Sequence, residues 1–276
     1  MPSANADVLY GRRPVQLFLE KSPRRARRLF IDRRLSRDIV EKFSRLARGR
    51  SAPIALVDSG QIDRLSDGGV HQGVALEADP LRLRGISDLL SLIKHPSSPP
   101  AQGRSNFPAV FLALDSVTDP QNFGAVARSA DAFGLGGLVF ESRHAPPFGG
   151  AAYKASAGAI EFVPLFSVSN FSETLRTIKS DRVRIVGLDA GGKSPLGDCL
   201  AREDVRPHAL VLVLGSEGRG IQKSVKSLCT EICSIPMSGH VGSLNVSAAA
   251  AVACYIATAL SNARAKIGLG SVASSG

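Results

Sequence analysis

The sequence contains no tryptophan and only three tyrosines among its 276 residues. Stacking of bases on aromatic side chains is therefore not the expected way for this chain to bind a nucleic acid. Four cysteines are too few and too unevenly spaced for a disulfide framework, which favours a reducing compartment. Cys229 and Cys233 lie in an apolar stretch, and a zinc site would need two more ligands, so we expect buried thiols and no metal.

The chain also lacks a recognisable targeting or membrane segment. Residues 1–7 contain no basic stretch followed by an apolar one, so no secretory signal is expected. The most apolar segment, residues 248–260, is too short and too rich in alanine to span a bilayer. These features favour a cytoplasmic protein without a membrane partner, with the mitochondrial matrix as the alternative compartment.

Positive charge is concentrated in one part of the chain. The formal net charge is +10, and residues 1–50 alone hold 14 Lys or Arg against five Asp or Glu. A scattered excess would indicate only a solvated surface, whereas a concentrated block rich in arginine favours a polyanionic partner. Because aromatic residues are scarce, we expect residues 12–50 to contact phosphates and folded shape.

The pattern of apolar residues divides the chain into two regions joined by a linker. Residues 7–80 alternate between short helices and short strands, which predicts a small α/β domain. Residues 81–106 contain a short predicted helix at 86–93, followed by a run of proline, serine and glycine that cannot build a core. Residues 107–268 form the second region.

Five nearly continuous apolar runs in the second region predict strands that are buried on both faces. The runs cover residues 109–114, 137–140, 184–188, 209–214 and 232–235, and helices are predicted at 124–133, 151–160, 171–178 and 221–228. This alternation predicts a parallel sheet covered by helices. Ligands bind beyond the carboxyl ends of the strands in such sheets, which directs attention to the loops after Leu114, Leu214 and Ile235.

These loops supply five polar candidates: Asn122 and Arg128 after the first strand, Glu217 after the fourth, and Ser243 and Asn245 after the last. Arg128, near the start of a helix where the dipole disfavours a cation, is either a surface residue or an anion clamp. Glu217 is either a helix cap or a ligand-binding carboxylate among glycines. Ser243 and Asn245 either cap the following helix or form the rim of a binding site.

A separate stretch, residues 187–194, matches the phosphate-loop pattern G-x-x-x-x-G-K-[ST]. A true phosphate loop opens directly into a helix, whereas Pro195 and Gly197 closely follow Lys193 here. We interpret the stretch as a glycine-rich turn, with nucleotide hydrolysis through Lys193 as a minor alternative.

The three strand-end loops resemble the motifs of the SpoU (TrmH) family of RNA ribose 2′-O-methyltransferases. The motifs are residues 119–130 (DPQNFGAVARSA), residues 213–220 (VLGSEGRG), and residues 235–237 (IPM) with 243–247 (SLNVS). Their order and spacing also fit the family. Residues 10–15 and 66–73 extend the resemblance into the N-terminal region, where it is similar to the bacterial branch, with its mitochondrial relatives, that modifies a guanosine of large-subunit ribosomal RNA.

The resemblance implies a fold, a cofactor and an assembly. The implied fold is α/β, with a C-terminal trefoil-knotted parallel-sheet (SPOUT) domain at 107–268 and a smaller N-terminal domain at 7–80 similar to ribosomal protein L30e. A homodimer through the knotted domain and S-adenosylmethionine bound by the knot loops are also implied.

The resemblance further implies roles for individual residues. Those implied to contact the cofactor are Leu214, Gly215, Ile235, Pro236, Met237, Ser243, Leu244 and Val246. Arg128 is implied to act at the ribose 2′-hydroxyl or its phosphate, ordered by Asn122, Glu217, Ser243 and Asn245. Because the pKa of arginine exceeds about 12, we favour an electrostatic clamp over a free base.

The expected function is therefore methyl transfer from S-adenosylmethionine to the ribose 2′-hydroxyl of a guanosine in 23S-type ribosomal RNA, with residues 12–50 docking the RNA. Two alternatives stay open beside nucleotide hydrolysis. One is a methyltransferase that acts on transfer RNA, and the other is a non-catalytic RNA-binding protein of the same fold.

Overall fold

The computed structural model describes residues 6–21, 25–48, 52–94, 109–202 and 209–270. The chain forms two compact units, neither of which is one continuous stretch of sequence. The first unit comprises residues 1–82, 119–128 and 146–162, and the second comprises residues 83–118, 129–145 and 163–276. Two segments that the sequence placed in the catalytic region thus fold with the N-terminal sheet.

Helices and strands alternate along most of the chain. Up to residue 115 the elements are β1 (Asp7–Tyr10), α1 (Arg12–Lys21), β2 (Ala26–Asp32), α2 (Arg37–Arg48), β3 (Ile54–Val57), α3 (Ser59–Leu65), β4 (Val74–Ala78), α4 (Ile86–Lys94) and β5 (Ala109–Asp115). They continue with α5 (Pro120–Ala132), β6 (Gly137–Glu141), α6 (Gly150–Ser156), β7 (Leu165–Val168), α7 (Phe171–Ile178), β8 (Val183–Leu188), β9 (Ser194–Pro195), α8 (Leu196–Ala201), β10 (Ala209–Gly215), α9 (Lys223–Lys226), β11 (Glu231–Ser234) and α10 (Val246–Gly270).

The first unit is built on a four-stranded sheet in the order β1-β4-β2-β3. β4 pairs antiparallel with both β1 and β2, whereas β2 and β3 are parallel. Helix α1 turns Val15, Phe18 and Leu19 inward at the i, i+3, i+4 spacing of an amphipathic helix, and all three are fully buried. The expectation of a small N-terminal α/β domain is confirmed.

The second unit is built on a seven-stranded parallel sheet in the order β7-β6-β5-β10-β8-β11-β9. Its central strands β5, β8 and β10 are apolar along almost their whole length because both faces are covered. Phe111 on β5 and Phe166 on β7 lie edge to face with ring centroids 6.0 Å apart. All five predicted strands are present, and the expected parallel sheet is confirmed.

Part of the region that the sequence placed in the linker belongs to the second unit. Arg84 pairs with β7, because its N–H donates to the Leu165 carbonyl at 2.8 Å and its carbonyl accepts from Ser167 N–H at 2.9 Å. Helix α4 follows, and its Leu89 and Ile93 are buried in the core of the unit. Residues 95–106 lie outside the described residues.

Among the described helices, none is long and apolar enough to cross a membrane.

Candidate functional site

Asn245 connects two loops at the carboxyl edge of the second sheet. Its Oδ1 accepts from Ser247 N at 2.8 Å and from Ser247 Oγ at 2.6 Å, so it caps helix α10. Its Nδ2 donates to Glu217 Oε1 in the loop after β10. The cap and the contact with a neighbouring loop occur together, so the two interpretations of this residue are both part of the structure.

The loop after β10 is a tight turn that only glycine permits at several positions. A Cβ atom added to Gly215 would lie 2.0 Å from the carbonyl carbon of Gly220. Gly218 and Gly220 have φ angles of 80° and 64°, which L side chains rarely adopt. The Gly220 N–H closes the turn by donating to the Ser216 carbonyl at 2.9 Å. Glu217 is therefore presented at the tip of a fixed turn, exposed to solvent.

A buried carboxylate, which sequence reasoning missed, fixes the other end of this turn. Asp115 ends β5 with 2% of its surface exposed. It accepts from Gln222 N at 2.8 Å and from Gln222 Nε2 at 2.7 Å. A buried carboxylate needs such donors to offset its desolvation. The only signal in the sequence was an acidic residue at the end of an apolar run, and nothing indicated Gln222 as its partner.

The residues implied to hold the cofactor all belong to the second unit. Leu214 and Val246 are buried, with 2% and 5% of their surfaces exposed, and form the apolar base of the loops. Met237 and Leu244 are each 37% exposed. They lie in the stretch 235–245, which forms neither helix nor strand. Ile235 is half-buried, and Pro236 and Ser243 are exposed.

The stretch that matches the phosphate-loop pattern is a turn around Asp189. Asp189 accepts from Gly191 N at 3.0 Å and forms an ion pair with Lys226 at 2.6 Å. The hydrogen bond from Lys226 is the main cause that lowers the pKa of Asp189 below its usual value. Strand β9 follows Lys193 directly, and no helix opens at the glycines. A carboxylate occupies the turn in place of a phosphate site, as the glycine-rich interpretation predicted.

Asn122 and Arg128 lie on α5, in the segment that belongs to the first unit. Asp119 caps this helix, because its Oδ2 accepts from Asn122 N at 2.8 Å. The helix begins at Pro120 and not at Gly124. Arg128 is therefore well past the first turn, and the dipole penalty that we expected for it does not apply. Its side chain is exposed.

Three side chains in the second unit resemble a metal-binding cluster. Cys199, Glu231 and Cys233 place their ligand atoms within 4.8 Å of one another. Arg184 donates to Cys199 Sγ at 3.2 Å and to Glu231 Oε2 at 3.1 Å, which puts a positive charge where a cation would bind. Burial raises the pKa of both thiols, and a thiol must ionise to bind a metal. The cluster is a hydrogen-bonded ion-pair network.

The basic N-terminal region contains paired and unpaired arginines. Arg34 donates to Asp32, and this hydrogen bond lowers the pKa of the carboxyl. Arg27 pairs with Asp79, and Arg33 pairs with Asp58 at 3.2 Å. These exposed pairs contribute little to stability and leave their guanidinium groups accessible.

Comparison with known proteins agrees with this geometry. A model of the SpoU rRNA methylase family matches residues 109–255, and a model of the RNA 2′-O ribose methyltransferase substrate-binding region matches residues 8–84. The chain is 32% identical over 250 residues to the Salmonella typhimurium protein named 23S rRNA (guanosine-2′-O-)-methyltransferase RlmB, covering 91% of this chain and 97% of that protein.

Solved structures share the fold. The SpoU methyltransferase AviRb from Streptomyces viridochromogenes, in complex with the cofactor AdoMet, superposes with a TM-score of 0.68 at 24% identity, covering 93% of this chain and 90% of that one. A TrmH-family putative RNA methyltransferase from Porphyromonas gingivalis gives a TM-score of 0.63 at 26% identity, covering 91% and 89%.

The fold, the strand-end loops and the two matched regions define an RNA ribose 2′-O-methyltransferase with a substrate-binding region and a methylase region. The chain belongs to the SpoU rRNA methylase family.

Proposed function

We propose that this chain transfers a methyl group from S-adenosylmethionine to the ribose 2′-hydroxyl of a guanosine in 23S-type ribosomal RNA. The observation that carries the proposal is the 32% identity to RlmB over 97% of that protein. Identity over so much of the relative includes the substrate-binding region as well as the methylase region. The proposed compartment is the cytoplasm, with the mitochondrial matrix as the alternative.

The loops of the second unit fit an adenosyl cofactor. Leu214, Met237, Leu244 and Val246 provide buried and half-exposed apolar surface beside irregular backbone, whose polar groups suit the edges of an adenine and a ribose. Gly215, Ile235, Pro236 and Ser243 complete the proposed set. The bound cofactor would supply an electrophilic methyl group on a sulfonium.

The polar residues are proposed to prepare the RNA for this transfer. A hydroxyl attacks in line, so positioning is expected to supply much of the rate. Arg128 is proposed to bind the phosphate beside the target ribose as a planar clamp, and Asn122 to order it. Glu217, Ser243 and Asn245 are proposed to orient the 2′-hydroxyl, and the Glu217–Asn245 hydrogen bond would hold two of them in register.

A trefoil knot and a homodimer are part of the proposal. Helix α10 exposes 62% of Tyr255, whose ring contacts Phe133 with centroids 6.3 Å apart. An exposed aromatic pair on an apolar helix suits an interface between two copies. Light scattering of the purified protein would test this, and a monomer at micromolar concentration would count against it.

The function is tested by mapping 2′-O-methyl groups in total RNA from the host with and without the gene. The proposal expects the loss of a guanosine mark in large-subunit ribosomal RNA. Loss of a mark in transfer RNA would favour the tRNA alternative instead. Unchanged RNA, with S-adenosylmethionine or ATP binding measured by calorimetry, would point to a non-catalytic RNA-binding protein or to a nucleotide hydrolase.

A further inference from the structure

Arg25, in the most basic part of the chain, is a buried junction between four segments of the first unit. It comes just before β2, and its side chain is 18% exposed. NH2 donates to Asp7 Oδ2 on β1 at 2.8 Å and to the Asp79 carbonyl after β4. NH1 donates to Tyr153 Oη on α6 at 2.7 Å and to Glu161 in the short helix that follows.

Aromatic packing reinforces the same junction. The Arg25 guanidinium lies 5.6 Å from the centroid of the Phe18 ring on α1. The Phe18 ring in turn lies 5.7 Å from that of Tyr153, and both rings are fully buried. The substrate-binding sheet and the segment 146–162 thus share one charged and aromatic contact, although they come from the two separately matched regions.

Helix α6 also lies against the sheet through its backbone. A Cβ atom added to Gly150 would be 3.2 Å from the Tyr10 carbonyl oxygen. This separation leaves little room for the helix to move relative to β1. The contact adds to the Arg25 junction and restrains α6 at its other end.

The contacts continue from α6 to α5. A Cβ atom added to Gly124 would be 2.4 Å from the Ala152 carbonyl oxygen, and the Phe123 and Phe148 rings lie 5.4 Å apart. Arg128 is four residues after Gly124, so it emerges one turn further along nearly the same side of α5. An unbroken series of packed contacts therefore leads from Arg25 to Arg128.

We propose that Arg25 is a positioning residue, which holds the substrate-binding sheet at a fixed distance from the α5 segment that carries Asn122 and Arg128. RNA held by the sheet would then reach Arg128 in register, and this inference rests on the proposed function. Contact between Arg25 and RNA phosphate does not fit its burial and its four bonded partners. The remaining alternative is that the junction only stabilises the fold.

The test measures three quantities on the full-length protein: the single-turnover rate of methyl transfer at saturating S-adenosylmethionine and transcribed large-subunit RNA, and the dissociation constant of each. Arg25→Met is expected to slow the transfer by about 10- to 100-fold, the usual consequence of a small misplacement. Both dissociation constants are expected to stay within about twofold. Arg176→Met, which removes an exposed arginine on α7, is the matched control and is expected to leave the rate unchanged.

Two milder variants keep the test decisive if Arg25→Met does not fold. Tyr153→Phe and Glu161→Gln each remove one partner of Arg25, and each is expected to slow the transfer while both ligands bind normally. If folded variants transfer methyl groups at the wild-type rate, the positioning role is overturned and the proposed function survives. If the wild-type protein methylates no RNA, the proposed function itself fails.

Discussion

Asn245 serves two purposes that substitution separates. Asn245→Ala removes the cap of α10 and the contact with Glu217, so the free energy of unfolding should fall by about 1 kcal/mol and methyl transfer should slow. Asn245→Ser keeps a capping oxygen but is too short to reproduce the amide contact with Glu217. We expect it to recover the stability and not the rate, as measured by urea unfolding and methyl-transfer assays. Recovery of both by serine would assign Asn245 to capping alone.

Arg128 is the residue for which geometry and charge are most easily separated. Arg128→Lys keeps the positive charge and loses the planar fork, so a clamp role predicts a fall in turnover of about 100-fold. The affinity for S-adenosylmethionine should not change, because the proposed cofactor residues lie in other loops.

The matched control for Arg128 is Arg143→Lys, which alters an exposed arginine whose Glu141 partner lies 3.3 Å away. We expect turnover within about twofold of wild type for this variant. Near-normal turnover of Arg128→Lys would contradict the planar clamp.

Arg25 shows where reasoning from composition reaches its limit. It belongs to the arginine-rich block that indicates a polyanionic partner, yet its guanidinium is bonded to Asp7, Tyr153, Glu161 and the Asp79 carbonyl. Tyr153 and Glu161 are more than 120 residues away in sequence, and no local pattern links them to Arg25. Residue type and spacing alone do not separate an arginine that contacts RNA from one that joins two segments.

At the scale of elements, buried strands were predictable because their apolar runs are continuous. β5 and β10 lie in the middle of the sheet, and almost every residue of each is buried. β7 was missed because it is only four residues long and Ser167 interrupts its apolar pattern. The two-residue β9 and the order of the strands were also beyond prediction, since pairing partners are chosen by contacts that are distant in sequence.

The turn after β10 yields a prediction about its first glycine. Gly215→Ala would drive a Cβ atom into the Gly220 backbone, so we expect a loss of about 1–3 kcal/mol in the free energy of unfolding. Binding of S-adenosylmethionine should weaken as well. Calorimetry and urea unfolding measure the two effects.

Gly197 in α8 is the control for this glycine substitution, since nothing lies within 4 Å of a Cβ atom added there. Gly197→Ala should leave cofactor affinity unchanged and stabilise the protein by up to about 1 kcal/mol. Equal stability and affinity in Gly215→Ala and the wild type would show that the turn can relax.

At the scale of the whole molecule, the units that fold together differ from the regions that the family models match. The matched regions are consecutive in sequence, whereas the first unit combines the N-terminal sheet with residues 119–128 and 146–162. The Phe18 and Tyr153 rings explain the difference, because each is fully buried and each packs on the other. An apolar face that needs a partner from another region makes the two regions depend on each other.

This dependence predicts the behaviour of a truncated protein. A fragment of residues 83–276 would expose Tyr153 and leave Glu161 without Arg25, so it should unfold at a lower temperature than the full chain and tend to aggregate. Any folded fraction should still bind S-adenosylmethionine, because the proposed cofactor loops lie in the second unit. Calorimetric scanning and size-exclusion chromatography of both proteins check this. A monodisperse fragment with the thermal stability of the full chain would show that the methylase region is complete without the sheet.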